Sequence, residues 1–214
     1  MEANYLEVKK TARYFTLGNL TEKTDTIWFV LHGYGQLAQY FIQKFTPLLD
    51  EKTVIIAPEA LSRFYLTGFS GRVGATWMTK EDRENEIKDY CNYLNQLYKH
   101  ITGQINNKKI TFNLLGFSQG VPALCRWIDK FQPEFNKLIL WAGIFPPDMN
   151  TDFIFSPEYI QNHRTYIIYG NEDPLLKEEH IQQIEEFKKN IKNLSVIIFE
   201  GKHEIDPNVL PQIK

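Results

Sequence analysis

From Thr26 onward the chain repeats one pattern. A short, continuously apolar run of β-branched and aromatic residues is followed by a stretch with apolar residues at three- and four-residue steps. The runs are TIWFVLHG at 26–33, TVIIAPEA at 53–60, KITFNLLGF at 109–117, KLILWAG at 137–143, TYIIYG at 165–170 and LSVIIFEG at 194–201. A strand wetted on one face alternates polar and apolar residues. These runs do not alternate, which is the pattern of strands buried on both faces in a helix-covered parallel sheet. Ile87, Tyr90, Leu94, Leu97 and Ile101 predict a long helix over 80–103. Val121, Leu124 and Ile128 predict one directly after KITFNLLGF, and Ile181, Ile184, Phe187 and Ile191 predict one over 175–192. The expected fold class is α/β: a three-layer sandwich around a mostly parallel sheet of about seven strands. The remaining strand is ARYFTL at 12–17, which precedes any crossover helix and is expected to pair antiparallel at the edge.

At 214 residues the chain has the length of one domain, expected over 1–214. Its net charge of −2 argues against an electrostatic nucleic-acid binder and against a polybasic membrane anchor. The N-terminus MEANYLEVKKTARYF has no signal-peptide run, and no apolar run approaches the roughly 20 residues that span a bilayer. The expectation is a cytoplasmic chain with no stable membrane insertion. Cys91 and Cys125 stand among apolar neighbours in predicted helices and are expected to be buried thiols. No Cys/His cluster, no G-x-G-x-x-G after the first run and no G-K-[ST] loop is present, so neither a metal nor an organic cofactor is expected.

The sharpest motif is Gly116-Phe117-Ser118-Gln119-Gly120, a G-x-S-x-G at the junction of a strand and a helix. A serine on so tight a turn is pushed out of the sheet with its hydroxyl exposed. The following helix aims its first N–H groups at the same point. A serine hydroxyl needs a base, and the base needs an orienting acid. Of the three later histidines, His163 precedes a strand and His180 sits on a helix face. His203 follows the last strand in Gly201-Lys202-His203-Glu204, at the carboxyl edge of the sheet. The acid should leave a preceding strand, and Asp173 in Tyr169-Gly170-Asn171-Glu172-Asp173-Pro174 fits; Glu172 is its local rival and a helix cap its competing role. After TIWFVL, the turn His32-Gly33-Tyr34-Gly35-Gln36 can supply the Tyr34 N–H as a second oxyanion donor beside that of Gln119. His32 itself is read as hydrogen-bonding within the turn.

Two loops lie beyond strand carboxyl ends, where open α/β sheets bind ligands: residues 62–77 and 145–159. Trp77 and Met78 in or beside the first, and Phe145 in the second, are the candidate substrate-binding residues. Arg63 and Arg72 either meet an anionic substrate group or fix the loop through salt bridges.

Together LHGYGQ, GFSQG, YGNEDP and GKHEI resemble, in order and rough spacing, the motifs of the α/β-hydrolase fold, and within it the phospholipase/carboxylesterase group that includes acyl-protein thioesterases. The resemblance covers about 26–214. It implies Ser118 as nucleophile, His203 as base, Asp173 as acid, and Tyr34 and Gln119 N–H groups as oxyanion hole. It implies a serine hydrolase of carboxylic esters or thioesters working through an acyl-enzyme. The 55 residues from Ser118 to Asp173 leave no room for a separate cap domain. The chain departs from the family at Tyr34, where a hydrophobic residue is frequent, at Gln36, where Asp or Asn is frequent, and in ATWMT at 75–79, which keeps the aromatic as Trp77 but lacks the family's Asp. The same fold also supports acyltransferases, perhydrolases, lyases, peptidases and non-catalytic binding proteins. The partner expected is a small-molecule ester or thioester. Small members of such folds can pair through exposed apolar loops, which leaves a homodimer open.

Overall fold

The apolar runs form the sheet that their continuity predicts. The computed structural model describes residues 1–105, 109–143, 145–146, 149, 163–191 and 193–214. Seven strands lie in the order β1-β3-β2-β6-β7-β8-β9. They are β1 (Tyr14–Leu17), β2 (Thr26–Leu31), β3 (Thr53–Pro58), β6 (Thr111–Phe117), β7 (Lys137–Trp141), β8 (Arg164–Gly170) and β9 (Leu194–Phe199). β1 pairs antiparallel with β3 at the edge, and every other neighbour in this sheet is parallel.

Successive side chains of a strand point to opposite faces, and each face has its own core. Ile27, Phe29 and Leu31 of β2 join the face covered by α2 (Arg83–Thr102), α3 (Gly120–Phe131) and α4 (Glu178–Asn190). Trp28 and Val30 join the other, covered by α1 (Ala38–Phe41) with the 3-10 turn Ile42–Leu48, and by a 3-10 turn at Leu210–Ile213. The layers are therefore three, as expected. Cys91 and Cys125 are buried free thiols at the contact of α2 and α3. Burial pushes Cys91 up to about 12 and Cys125 higher than its usual value, so both stay protonated at neutral pH.

The 62–77 stretch, which its mixed composition leaves unassigned, is an antiparallel hairpin of β4 (Ser62–Tyr65) and β5 (Val73–Thr76). It joins the main body at a bridge between Gln36 and Ala75. Most of the 145–159 loop lies outside the described residues. Among the described residues no helix is long and apolar enough to cross a membrane.

The strand order places the site. β2 has β3 on one side and β6 on the other, so the chain turns opposite ways from this pair. Open α/β sheets of this kind bind ligands at such a reversal, beyond the strand carboxyl ends. Leu31 and Gly116 are register partners at that edge, so the turns after β2 and β6 emerge side by side.

Candidate active site

Ser118 follows β6 with φ of 53°, the left-handed conformation of a tight strand-to-helix turn. Two backbone bonds hold this turn: Ser118 N–H donates to the Trp141 carbonyl of β7 at 2.9 Å, and Val121 N–H returns to the Ser118 carbonyl at 2.9 Å. The turn is tight because α3 passes close to β2. A Cβ on Gly120 would stand 2.3 Å from the Leu31 carbonyl oxygen, so only glycine fits there.

His203 and Asp173 arrive from the ends of β9 and β8. Glu172 N–H donates to the Gly201 carbonyl at 2.9 Å and Gly201 N–H to Asn171 Oδ1 at 3.2 Å, which ties the two loops together. The Trp141 indole N–H anchors the far side of the histidine loop by donating to the Glu204 carbonyl at 2.8 Å. The result is one chain of contacts: His203 Nε2 lies 2.9 Å from Ser118 Oγ, and His203 Nδ1 lies 2.7 Å from Asp173 Oδ2. An ionised carboxylate only accepts, so the imidazole proton sits on Nδ1 and the Nε2 lone pair faces the serine hydroxyl. The Asp173 side chain is 2% exposed, and its second oxygen accepts the Leu175 N–H at 2.9 Å. The turn role and the histidine contact thus fall to different oxygens of one carboxylate. The Phe117 ring stands 5.0 Å from the His203 ring. His163 and His180 are elsewhere: His163 stacks on Phe135 at 4.1 Å, and His180 caps α4 through the Lys177 N–H.

The turn after β2 lies against Ser118, for a Cβ built on Gly33 would be 3.2 Å from Ser118 Cβ. Gly35 N–H donates to Ala75 at 2.9 Å, Ala75 N–H to Gln36 at 3.1 Å, and Gly33 N–H to Gln36 Oε1 at 2.9 Å. Gln36, one of the departures from the family pattern, thus pins the turn with its side chain. His32 is wholly buried and does the same from below. Ala60 N–H donates to its Nε2 at 3.1 Å, so Nδ1 carries the proton and donates to the Gly33 carbonyl at 2.7 Å. Burial pushes its pKa down to about 4, and the ring stays neutral. Among the described residues neither the Tyr34 N–H nor the Gln119 N–H has a protein acceptor.

Sequence reasoning missed the side chain of Gln119. Its Oε1 accepts the Trp77 N–H at 3.1 Å, and its Nε2 donates to the Met78 carbonyl at 2.9 Å and to Thr76 Oγ1 at 3.0 Å. One residue therefore offers its backbone N–H at the serine turn and clamps the 76–78 loop with its amide. A long polar side chain just before the apolar first turns of the helix was the signal. The buried Glu59 was missed as well, although it is the one acidic residue in TVIIAPEA. It bonds Arg13 at 2.6 Å, Arg63 at 2.7 Å and the Ala38 N–H at 3.3 Å. Burial raises its pKa, but the hydrogen bonds from Arg13 and Arg63 outweigh this and hold it below its usual value.

The three candidate substrate-binding residues are placed differently. Trp77 is a core residue whose indole N–H donates to the His32 carbonyl at 2.8 Å, and Phe145 is a core residue packed on Phe187. Met78 is half-buried. Arg63 fixes the hairpin through Glu59, whereas Arg72 pairs with no carboxylate among the described residues. Among those residues no group of three or more His, Cys, Asp or Glu is placed to hold a metal ion.

Comparison with known families decides the class. Residues 23–213 match the family described as Serine hydrolase (FSH1). The chain belongs to this serine hydrolase family. Solved structures agree on the fold. Zea mays acyl-protein thioesterase 2 superposes with a TM-score of 0.69 at 18% identity, covering 95% of this chain and 96% of that one. A carboxylesterase from Mesorhizobium loti gives 0.67 at 15% identity, covering 94% and 92%. A phospholipase/carboxylesterase from Dyadobacter fermentans gives 0.62 at 17% identity, covering 95% and 94%. The α/β-hydrolase fold implied by the four motifs is the fold of this FSH1-family member. A comparison with curated protein sequences found no match.

Proposed function

We propose that this serine hydrolase cleaves small-molecule carboxylic esters or thioesters through a covalent Ser118 acyl-enzyme. The observation that carries the reading is the imidazole of His203 bonded at once to Ser118 Oγ and Asp173 Oδ2, at 2.9 and 2.7 Å. Thioesters stand beside esters because the Zea mays neighbour is an acyl-protein thioesterase by name.

In the first step His203 Nε2 takes the Ser118 proton as Oγ attacks the carbonyl carbon. Negative charge moves to the carbonyl oxygen, where the N–H groups of Tyr34 and Gln119 and the N-terminus of α3 stabilise it. Asp173 holds the Nδ1 tautomer and stabilises the imidazolium. The tetrahedral centre collapses, and His203 gives its proton to the departing alcohol or thiol. Water then attacks the acyl-enzyme by the same route, releasing the acid and restoring Ser118. Cys91 and Cys125, buried and protonated, take no part.

The test is hydrolysis of p-nitrophenyl esters from acetate to palmitate by wild type and Ser118→Ala in parallel. Turnover is expected to fall by at least about a thousandfold in the variant, with its melting temperature unchanged. Residual activity within tenfold of wild type would overturn the assignment.

A further inference from the structure

The two arginines of the hairpin region have separate fates. Arg63 is held by Glu59 at 2.7 Å. Arg72 lines a cavity of about 570 Å³ with Lys44, Gly35, Gln36, Tyr40 and Phe41. No carboxylate among the described residues pairs with Arg72 or Lys44.

The walls of this cavity are free of acid. Between Gly33 and Leu49 the only charged residue is Lys44. Between Leu61 and Lys80 the charged residues are Arg63, Arg72 and Lys80, all cationic. A molecule of net charge −2 therefore presents a local positive field here, at a concavity rather than on a flat face. The volume falls within the roughly 300–1,000 Å³ of small-molecule sites.

The wall of the cavity includes part of the turn that lies against the serine. Gly35 and Gln36 in its wall directly follow Tyr34, and Gly33 rests against Ser118. Two peptide units separate Gly33 from Gly35, a span of at most about 8 Å. A substrate that follows this turn would place its carbonyl at Ser118 and a second group between Arg72 and Lys44.

We infer that this cavity receives an anionic group, a carboxylate or phosphate, borne by the same ester or thioester that Ser118 attacks. The inference rests on the ester-hydrolase reading above and narrows its substrate class. The Arg72 guanidinium offers a planar fork of donors that matches either anion, and the Lys44 ammonium adds a point charge. The anion can belong to the acyl part or to the leaving group, and two substrate pairs separate these sources.

The first pair is p-nitrophenyl hydrogen suberate against its methyl ester, which puts the charge on the acyl chain. The second is octanoyl phosphopantetheine against octanoyl pantetheine, which puts it on the thiol. The ratio of kcat/KM, anionic over neutral, is measured for wild type, Arg72→Gln, Lys44→Gln, the double variant and Lys189→Gln. The last makes the same charge change on the exposed part of α4. In at least one pair the ratio is expected to drop about fivefold in each single variant and more than tenfold in the double, with Lys189→Gln at the wild-type ratio. Raising the NaCl concentration from 0.05 to 0.5 M should erode the wild-type ratio, since screening lengths shrink over that range. Equal ratios in wild type and the double variant for both pairs would overturn the inference.

Binding is measured separately from turnover. Octyl phosphate is titrated calorimetrically into Ser118→Ala, with and without the double substitution. About tenfold weaker binding in the latter supports the cavity, and equal binding refutes it. Loss of Ser118-dependent turnover on every ester would instead count against the hydrolytic reading alone.

Discussion

In the proposed mechanism His203 serves as a base only while its proton sits on Nδ1, and that tautomer is set by what Asp173 can do. The carboxylate accepts at 2.7 Å and cannot donate. Asp173→Asn nearly preserves shape but lets an amide N–H face Nδ1, which moves the imidazole proton to Nε2 and turns the lone pair away from Ser118. The expected loss is about four orders of magnitude in kcat at neutral pH, measured on a p-nitrophenyl ester, with a circular dichroism spectrum like that of wild type. An Asp173→Asn enzyme within tenfold of wild type would mean that another group orients the ring. Gln119 poses a different question, because its backbone and its side chain serve different ends. In Gln119→Ala the backbone N–H remains, while the Trp77 N–H loses its acceptor and the Met78 carbonyl keeps only the Thr76 hydroxyl. Leaving such groups unpaired costs about 1–3 kcal/mol. Urea denaturation should register that loss, together with about a tenfold fall in kcat/KM as the 76–78 loop loosens beside the serine turn. If both quantities stay at wild-type values, the amide clamp does not hold the loop.

At the scale of elements, the end of β3 is the junction on which the turn after β2 depends. Glu59 reaches Arg13 before β1, Arg63 on β4 and the first N–H of α1, and the next residue, Ala60, donates to His32. Both ends of the 32–38 segment are thus fixed from one dipeptide. Glu59→Gln keeps the shape and removes the charge that balances two guanidinium groups. Breaking a fully buried pair costs about 3–5 kcal/mol. Arg13 and Arg63 keep 44% and 38% exposure, so solvent screens part of this and a loss of about 2 kcal/mol is expected by chemical denaturation. A smaller accompanying loss of kcat than for Asp173→Asn is also expected, since Glu59 touches no reacting atom. These contacts explain what the sequence made legible and what it did not. All seven strands stand within a few residues of where the runs lie. The five central ones are buried on both faces as their unbroken apolar runs predict, whereas β9, at the sheet edge, is only partly buried although LSVIIFEG does not alternate, and β1 at the other edge is half exposed. G-x-S-x-G, and the residues after the last two strands, named Ser118, Asp173 and His203, which the fold brings into hydrogen-bonding distance. The hairpin left no such trace. Its two strands have four residues each, β4 half exposed and β5 nearly all buried, and owe their place to backbone bonds with Gly35 and Gln36. Nor could spacing reveal that Gln119, Gln36 and Glu59 turn their side chains inward, because their partners are backbone N–H and C=O groups or arginines that only the folded turns bring to them. Trp77 read as a pocket residue because it is aromatic and lies in a loop. Its indole N–H instead braces the His32 carbonyl from within the core.

At the scale of the whole molecule, the site hangs on strands from across the sheet. β2, β6, β8 and β9 each contribute a carboxyl-end turn, so stability and site integrity are coupled. His32 makes that coupling depend on pH. It lies under the turn after β2 with no water contact, and burial holds its folded pKa at about 4 against 6.5 for a free histidine. Between those values the unfolded chain binds a proton that the folded one refuses, so the unfolded state gains as pH falls. The contribution is fully present above pH 6.5 and is lost progressively from 6.5 toward 4. Its full size is on the order of 3 kcal/mol. Glu59 acts in the same direction at lower pH, since a carboxyl held below its usual value loses its stabilisation as it is protonated. The two are separated by His32→Gln. That variant starts from lower stability at pH 7.5, because it loses the ring packed on Trp77 and Phe41. Its unfolding free energy should nevertheless fall less steeply between pH 6.5 and 4.5, by up to one proton per molecule in the linkage slope, with both proteins converging in slope below pH 4. Parallel slopes for wild type and His32→Gln across that window would mean that the imidazole is already protonated in the fold. The Ala60 N–H, which needs the Nε2 lone pair, would then have to bond elsewhere.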